Sequence, residues 1–175
     1  MTNYGKKIDQ GSLCFERLLP GPIERVWAFL TESEKRRTWF AAGPMELRAG
    51  GKVELIFRNS ELAAQYESTP EKYKAYEGMT SYGRITRCEA PRLLSFTWDE
   101  ENASPSEVTF ELKPQGDQVQ LVLIHRKLAS RKDMVNVSGG WHAHLGILEA
   151  RLKGLEPGPF WSEILRLESE YEKIL

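Results

Sequence analysis

The sequence lacks the features that mark several classes of protein. Its two cysteines, Cys14 and Cys88, lie far apart and form no Cys-x-x-Cys pair, which predicts reduced thiols rather than a disulfide scaffold. No apolar run approaches the roughly 18 residues that a membrane span needs. The first ten residues, MTNYGKKIDQ, have no apolar run behind their lysines. We therefore expect no signal peptide, no membrane insertion and a cytoplasmic location.

An excess of charge of one sign is also missing. The 175 residues include 24 Lys and Arg against 25 Asp and Glu, and this balance argues against a nucleic-acid partner recognised through bulk charge. A chain of this length is expected to form one main domain. We assign that domain to residues 1–154 and a helical extension to residues 155–175.

Motifs for catalysis or metal binding are missing as well. No Gly-x-Ser-x-Gly is present, and no nucleophile stands beside a base. His142 and His144 are two apart on a predicted helix, so their side chains diverge by about 200°. No cysteine or carboxylate set completes a tetrahedral metal site. We predict no catalytic residue, no metal and no cofactor.

One long amphipathic helix is predicted from Arg131 to Lys153. Ser130 is placed to cap its first turn, and Gly154 follows its end in the position of a left-handed stop residue. The glycines Gly139 and Gly140 each cost about 0.5–1 kcal/mol in a helix interior, so another group is expected to approach the backbone there. Apolar residues recur every three or four positions on one face of this helix: Met134, Val137, Trp141, Leu145, Leu148 and Leu152.

Most of the remaining chain alternates apolar and polar residues in the manner of strands. Pro22 and Ser33 are predicted to begin two short helices after the first strand, and the basic run at 35–37 is predicted to be a solvated helix face. Residues 60–77 break the strand pattern and are interpreted as an insertion over one end of the sheet. The predicted strands, most of them joined by short connections that favour antiparallel pairing, are 12–19, 45–48, 52–58, 80–89, 92–98, 107–113 and 118–127.

This order predicts an α+β fold. The antiparallel sheet has six to seven strands and must bury one face, and the long helix is the only element large enough to cover it. A further helix is predicted after Pro157. Its apolar stripe is expected to pack on the same domain, with a homodimer contact through residues 157–175 as the alternative. The stripe consists of Phe160, Ile164, Leu167, Tyr171 and Ile174.

Six segments taken together resemble a known family. They are FERLLPGPIERVWAFLT, TWF, MELRAGGKVEL, YGRITRCEAPRLLSFTW, LVLIH and GGWHAHLGIL. Their order and spacing, over about residues 12–154, are similar to the homologues of the activator of heat shock protein ATPase, in the START-like, birch-pollen-allergen-like superfamily called SRPBCC. The resemblance implies a helix-grip fold, in which a curved sheet surrounds one helix and leaves an apolar cavity. The member named as a chaperone activator has an additional N-terminal domain, which nothing in this sequence matches.

We therefore predict a protein that binds a small hydrophobic molecule. His125 and His144 are interpreted either as satisfied core histidines or as polar anchors for a ligand. The face on which Tyr82 and Trp98 lie stays open, because a one-residue slip reverses a strand. A protein-interaction or co-chaperone-like module, and a cyclase or hydrolase that uses the same cavity, stay as alternatives. The predicted cavity residues are Trp27, Trp39, Phe57, Tyr82, Trp98, His125, Trp141, His144, Leu145 and Leu148.

Overall fold

The computed structural model describes residues 3–175, and one antiparallel sheet of seven strands dominates it. The strands lie in the order β1-β2-β7-β6-β5-β4-β3, and every neighbouring pair is antiparallel. Short connections explain the antiparallel pairing of β4 with β5, β5 with β6 and β6 with β7, because they leave no room for a crossover. The strands are β1 Lys6–Asp9, β2 Ser12–Pro20, β3 Lys52–Ile56, β4 Thr80–Glu89, β5 Leu93–Trp98, β6 Ser106–Gln115 and β7 Gln118–Arg126.

Four α-helices accompany the sheet in the described chain. They are α1 Ile23–Thr31, α2 Ser33–Arg36, α3 Arg131–Leu152 and α4 Trp161–Ile174. The predicted ends of α3 are confirmed. The Ser130 hydroxyl accepts the backbone N–H of Asp133 at 3.1 Å, and Gly154 adopts a left-handed φ of 70°. Two short 3₁₀ turns, Asn59–Glu61 and Glu71–Tyr76, lie between β3 and β4.

The core lies between the inner face of the sheet and α3. In the strands that cover the core, alternate residues point inward, and on β7 these are Val119, Leu121, Leu123 and His125, all buried. The apolar face of α3 covers them, since burial of its large side chains removes apolar surface from water. The curved sheet and the long helix confirm the predicted α+β helix-grip fold. The buried residues of the α3 face include Met134, Trp141, Leu145, Leu148 and Leu152.

One predicted strand is wrong, and one strand was missed. Residues 45–48 were predicted as a strand, but Met45 makes only an isolated bridge to Val53. Arg48 and Gly51 instead close a tight turn, in which the Gly51 N–H donates to the Arg48 carbonyl at 2.9 Å. The seventh strand is β1, at the edge of the sheet beside β2. All four of its residues are exposed, so no apolar pattern marks it.

The basic run at 35–37 is not a uniformly solvated face as predicted. Lys35 and Arg37 are exposed, but Arg36 is only 1% exposed. Burial lowers the pKa of its guanidinium to about 10. The side chain ties the end of α1 to the segment after α2, because it donates to the backbone carbonyls of Leu30, Thr31, Ala41 and Gly43.

The helix α4 packs back on its own chain. Phe160, Ile164, Leu167 and Tyr171 are buried, and only Ile174 of the predicted stripe is exposed. A homodimer contact through this stripe would therefore need side chains that the monomer already buries. A Cβ at Gly139 would lie 3.2 Å from Cγ of Glu168, so the close approach of α4 accounts for this glycine of α3.

The segment between β3 and β4 packs against α4. The Glu67 carboxylate accepts the backbone N–H groups of Trp161 at 2.8 Å and Ser162 at 3.1 Å, which satisfies donors that a helix start leaves unpaired. The ring of Tyr73 stacks on Trp161 with centroids 5.3 Å apart. Lys72 also pairs with Glu168. This insertion and α4 together form one wall beside the sheet.

Candidate functional site

A groove opens between that wall, the end of the sheet and the N-terminal half of α3. It has an inner compartment of about 350 Å³ and an outer compartment of about 620 Å³. Phe40, Ser106, His125 and Trp141 line only the inner compartment. Tyr73, Tyr76, Met79, Trp161 and Ile164 line only the outer one. The two adjoin each other, because they share Phe57, Trp98, Asp99, Val137, Gly140 and His144.

The helix α3 contributes one stripe to the groove. Its lining residues Val137, Gly140, Trp141 and His144 are three or four positions apart, so they share a face. Gly140 leaves this face open, since nothing lies within 4 Å of a Cβ built on it. Any larger side chain at this position would enter the groove.

Aromatic rings form the walls of the inner compartment. Phe40 stacks on Trp141 with centroids 5.0 Å apart and an interplanar angle of 28°. Phe57 stacks on Trp98 at 5.7 Å and 27°. The rings of Trp98 and Trp141 meet edge to face at 5.5 Å. Flat, largely apolar walls of this kind suit flat, apolar ligands.

A directed chain of hydrogen bonds ends in the inner compartment. The indole N–H of Trp141 donates to Nδ1 of His125 at 3.0 Å. An indole nitrogen can only donate, so Nδ1 of His125 carries no proton. Burial lowers the pKa of His125 to about 4, and the neutral ring must therefore hold its single proton on Nε2. That N–H donates to Oγ of Ser106, 2.8 Å away.

This direction decides the chemistry of Ser106. In a hydrolytic serine–histidine pair, the histidine nitrogen accepts the proton of the serine hydroxyl. Here Nε2 of His125 is already protonated and donates to Ser106. The serine is not activated as a nucleophile. Its own O–H remains available as a hydrogen-bond donor to the groove.

A second neutral imidazole lies between the compartments. Nδ1 of His144 donates to the backbone carbonyl of Trp39 at 2.8 Å. Burial lowers the pKa of His144 to about 4, so this ring is neutral near pH 7 and its Nε2 is an acceptor. His144 lines both compartments. The groove thus combines apolar walls with a hydroxyl donor and an imidazole acceptor.

Charged residues of both signs stand at the edge of the groove. Asp99 and Lys127 both adopt left-handed backbone conformations, with φ of 62° and 64°. Asp99, Lys127 and Asp133 line the inner compartment, so no single sign dominates. In residues 3–175 no group of three or more His, Cys, Asp or Glu residues is arranged to hold a metal ion. No helix of that part of the chain is long and apolar enough to cross a membrane.

Half of the predicted cavity residues come together at this groove. Phe57, Trp98, His125, Trp141 and His144 line it. The other buried ones, which pack elsewhere in the core, are Trp27, Trp39, Leu145 and Leu148.

Tyr82 lies outside the groove, which corrects its predicted place. It pairs with Glu54 on β3 and is 43% exposed. Trp98 faces inward with Leu94 and Phe96 on β5. The register therefore resolves the face of both residues, which alternation alone left open.

Several lining residues were missed from the sequence. Phe40 follows the second short helix. At Gly140 the expected close approach to the backbone is wrong, because nothing lies within 4 Å of a Cβ built there and the space belongs to the groove. Ser106 is an ordinary serine at the start of β6, and no sequence signal distinguishes it. Tyr73 and Trp161 come from segments that fold against each other, so their position depends on tertiary contacts.

Comparison with known proteins agrees with this architecture. Residues 20–153 match the sequence profile of the family described as "Activator of Hsp90 ATPase homolog 1-like protein". The chain belongs to this family. The match spans α1 to the end of α3 and includes five of the seven strands, β3 to β7. A comparison with curated proteins found no match.

Solved structures extend the likeness over the whole chain. A protein from Bordetella parapertussis is 44% identical, with a TM-score of 0.83, and the alignment covers 99% of this chain and 91% of that one. CalU16 from Micromonospora echinospora is 26% identical with a TM-score of 0.66, over 98% and 91% of the two chains. DynU16, a putative protein in the dynemicin biosynthetic locus, is 16% identical with a TM-score of 0.65, over 85% and 49%. The last likeness concerns the fold alone.

Proposed function

We propose that this protein binds a small, flat, hydrophobic molecule in the groove beside α3. The observation that carries the proposal is the aromatic inner compartment of about 350 Å³, a size typical of small-molecule sites. Two neutral polar groups, the Ser106 hydroxyl and the His144 imidazole, would orient the ligand within apolar walls. Membership of a family with a ligand-binding fold supports the same proposal.

The expected affinity is low. Burial of ~300 Å² of apolar ligand surface at ~25 cal/mol/Å² contributes about 7 kcal/mol. Loss of ligand motion and ordering of side chains offset several kcal/mol of this gain. The remainder is smaller than the roughly 8 kcal/mol of a micromolar complex, so we expect dissociation constants from high micromolar to millimolar for a ligand that fills only the inner compartment.

The alternatives have less support. A hydrolase would need an activated nucleophile, and the protonated Nε2 of His125 opposes activation of Ser106. A protein-interaction module could use the outer face of the sheet or the apolar stripe of α4, and most of that stripe is buried against the same chain. The aromatic groove has no such internal occupant among the described residues.

Two glycines of α3 provide a matched test. Gly140 lines both compartments, whereas Gly146 lies on the exposed side of the helix, outside the groove. Neither has a heavy atom within 4 Å of an added Cβ, so leucine at either site should fold and should stabilise the helix by up to about 1 kcal/mol. The probe is N-phenyl-1-naphthylamine, a neutral aromatic dye that fluoresces in apolar surroundings.

We expect Gly140→Leu to weaken dye binding at least tenfold, because its side chain occupies the groove, while Gly146→Leu binds like the parent protein. Fluorescence titration measures both affinities, and circular dichroism verifies the fold. Equal affinities in the two variants would refute the groove as the binding site. Weaker binding only in Gly146→Leu would place the dye on the other side of α3.

A further inference from the structure

The inner compartment contains a hydroxyl whose donor direction is determined by two buried residues behind it. Ser106 begins β6 and pairs with Trp98 of β5, so both side chains lie on the inner face of the sheet. The ring of His125 stacks on Trp98 with centroids 5.7 Å apart and an interplanar angle of 27°. The hydroxyl of Ser106 therefore lies next to the edge of an aromatic wall.

The proton positions follow from the partners. The Trp141 indole donates to Nδ1 of His125, and Nε2 of His125 then donates to Oγ of Ser106. Since Oγ accepts from His125, the hydroxyl proton has to point away from that ring. Ser106 also lines the inner compartment, so the hydroxyl proton can point into the groove.

We propose that Ser106 is a specificity-determining residue, which donates its hydroxyl proton to a carbonyl-type oxygen of a flat aromatic or conjugated ligand. This inference rests on the proposed function, because it names the ligand class for the same groove. Ser106 is half-buried, and a ligand that covers its hydroxyl without pairing it would leave an unsatisfied polar group, which costs free energy. A ligand with an acceptor atom beside Trp98 would satisfy the hydroxyl, and a pure hydrocarbon would not.

The charges around the site favour a neutral oxygen over a carboxylate. The charged side chains that line the inner compartment are Asp99, Asp133 and Lys127, and both imidazoles are neutral near pH 7 because of burial. A ligand carboxylate would face two carboxylates and one ammonium group. Ketones, quinones and lactones present the same acceptor without that repulsion.

Two probes separate the acceptor from the apolar contact. The first is 6-propionyl-2-dimethylaminonaphthalene, a fluorescent ketone whose emission moves to longer wavelength when its carbonyl accepts a hydrogen bond. The second is 2-dimethylaminonaphthalene, which has the same rings but no carbonyl. We expect the parent protein to bind the ketone about tenfold more tightly, as expected for one hydrogen bond in a buried site.

Removal of the hydroxyl should abolish this preference. In Ser106→Ala the ketone's advantage should fall to about onefold, and the emission of the bound ketone should move to shorter wavelength. Ser95→Ala is the matched control. The Ser95 hydroxyl is hydrogen-bonded to the Thr109 hydroxyl at 2.9 Å on the opposite face of the sheet. Ser95→Ala should therefore keep the preference for the ketone and the emission wavelength of the parent protein.

Trp141 tests the role of the residues behind Ser106. Trp141→Phe keeps an aromatic ring but removes the indole N–H. Without that donor, Nδ1 of His125 no longer has to be the unprotonated nitrogen. The imidazole can then exchange tautomers and accept the serine proton, so the preference for the ketone should fall as in Ser106→Ala. Nitrogen-15 NMR of the His125 ring should show the proton on Nε2 in the parent protein. In Trp141→Phe it should show the proton shared between Nδ1 and Nε2. A merely structural role of Trp141 would leave the tautomer unchanged.

Each outcome decides one of the two proposals. If the parent protein binds neither probe, the proposed function fails, and the role of Ser106 fails with it. If it binds both probes equally, or if Ser106→Ala retains the preference for the ketone, only the role of Ser106 is overturned. Binding in the groove would then rest on apolar contact alone.

Discussion

Buried polar side chains set the chemistry of this protein at the scale of single residues. His144 donates to the carbonyl of Trp39, and His125 lies between the indole of Trp141 and the hydroxyl of Ser106. Their burial keeps both rings neutral. Arg36 differs, because it satisfies backbone carbonyls with a charged group.

Arg36 should be the more costly of two adjacent arginines to remove. Arg36→Met leaves buried carbonyls of the α1–α2 region without donors, and each unsatisfied acceptor costs about 1–3 kcal/mol. We expect the free energy of unfolding to fall by about 3 kcal/mol or more, as measured by urea denaturation. Arg37→Met is the control, since Arg37 is exposed and surface changes usually stay within about 0.5 kcal/mol. Similar values for the two variants would contradict the buried network.

At the scale of elements, the helix α3 contacts the sheet and α4 and also lines the groove. Its apolar face covers the sheet, Gly139 allows the close approach of α4, and Gly140 leaves the groove open. Two adjacent glycines thus have different causes. The contact between α3 and α4 also places Trp161 and Ile164 in the wall of the outer compartment.

The burial of α4 can be tested with two leucines of the same helix. Leu167 is fully buried, whereas Leu165 is 42% exposed. We expect Leu167→Ala to lower the free energy of unfolding by about 2–4 kcal/mol, because it leaves a cavity under the helix, and Leu165→Ala to change it by less than about 0.5 kcal/mol. Light scattering would give the molar mass of each variant. A drop from dimer to monomer in Leu167→Ala, without loss of stability, would instead assign the stripe to self-association.

The whole molecule should lose stability in mild acid. His125, His142 and His144 have folded pKa values of about 4, chiefly because of burial, while an unfolded histidine titrates near 6.5. Between these values the unfolded chain binds more protons than the folded one. The stabilising contribution is therefore complete above about pH 6.5 and falls, as the pH decreases, by about 1.4 kcal/mol per pH unit for each histidine.

Urea denaturation at several pH values between about 5 and 7 measures this slope, in a range above the titration of most carboxylates. In His125→Gln the decrease of the free energy of unfolding with falling pH should be smaller by about 1.4 kcal/mol per pH unit, the contribution of one histidine. A free energy of unfolding that is constant across this range would refute the neutral, buried state of the histidines. An unchanged slope in His125→Gln would show that His125 does not contribute to the pH dependence of stability.

Much of the fold could be predicted because its signals are local. Alternation placed β4 and β7 within about a residue of their observed ends, and the spacing of apolar residues placed α3 from Arg131. Cap residues marked both ends of that helix. The edge strand β1 was missed because its four exposed residues carry no apolar pattern, and only backbone pairing with β2 defines it.

The site was predicted less completely, for a physical reason. The aromatic residues and histidines indicated a pocket, but alternation does not show which face of a strand lies inside. Tyr82 was therefore placed wrongly in the pocket, whereas Trp98 does face it. Ser106 and Phe40 carry no signal of their own. Their roles arise from partners such as His125 and Trp141, which come from other strands and from α3.

The sequence by itself determined the element types, the family resemblance and the apolar faces that pack together, because periodicity and capping depend on neighbours along the chain. Only the tertiary structure decided where the groove opens, which tautomer His125 adopts and how the insertion and α4 close one wall. These depend on strand register and on hydrogen bonds between residues distant in sequence. Such contacts leave no periodic trace in the chain that makes them.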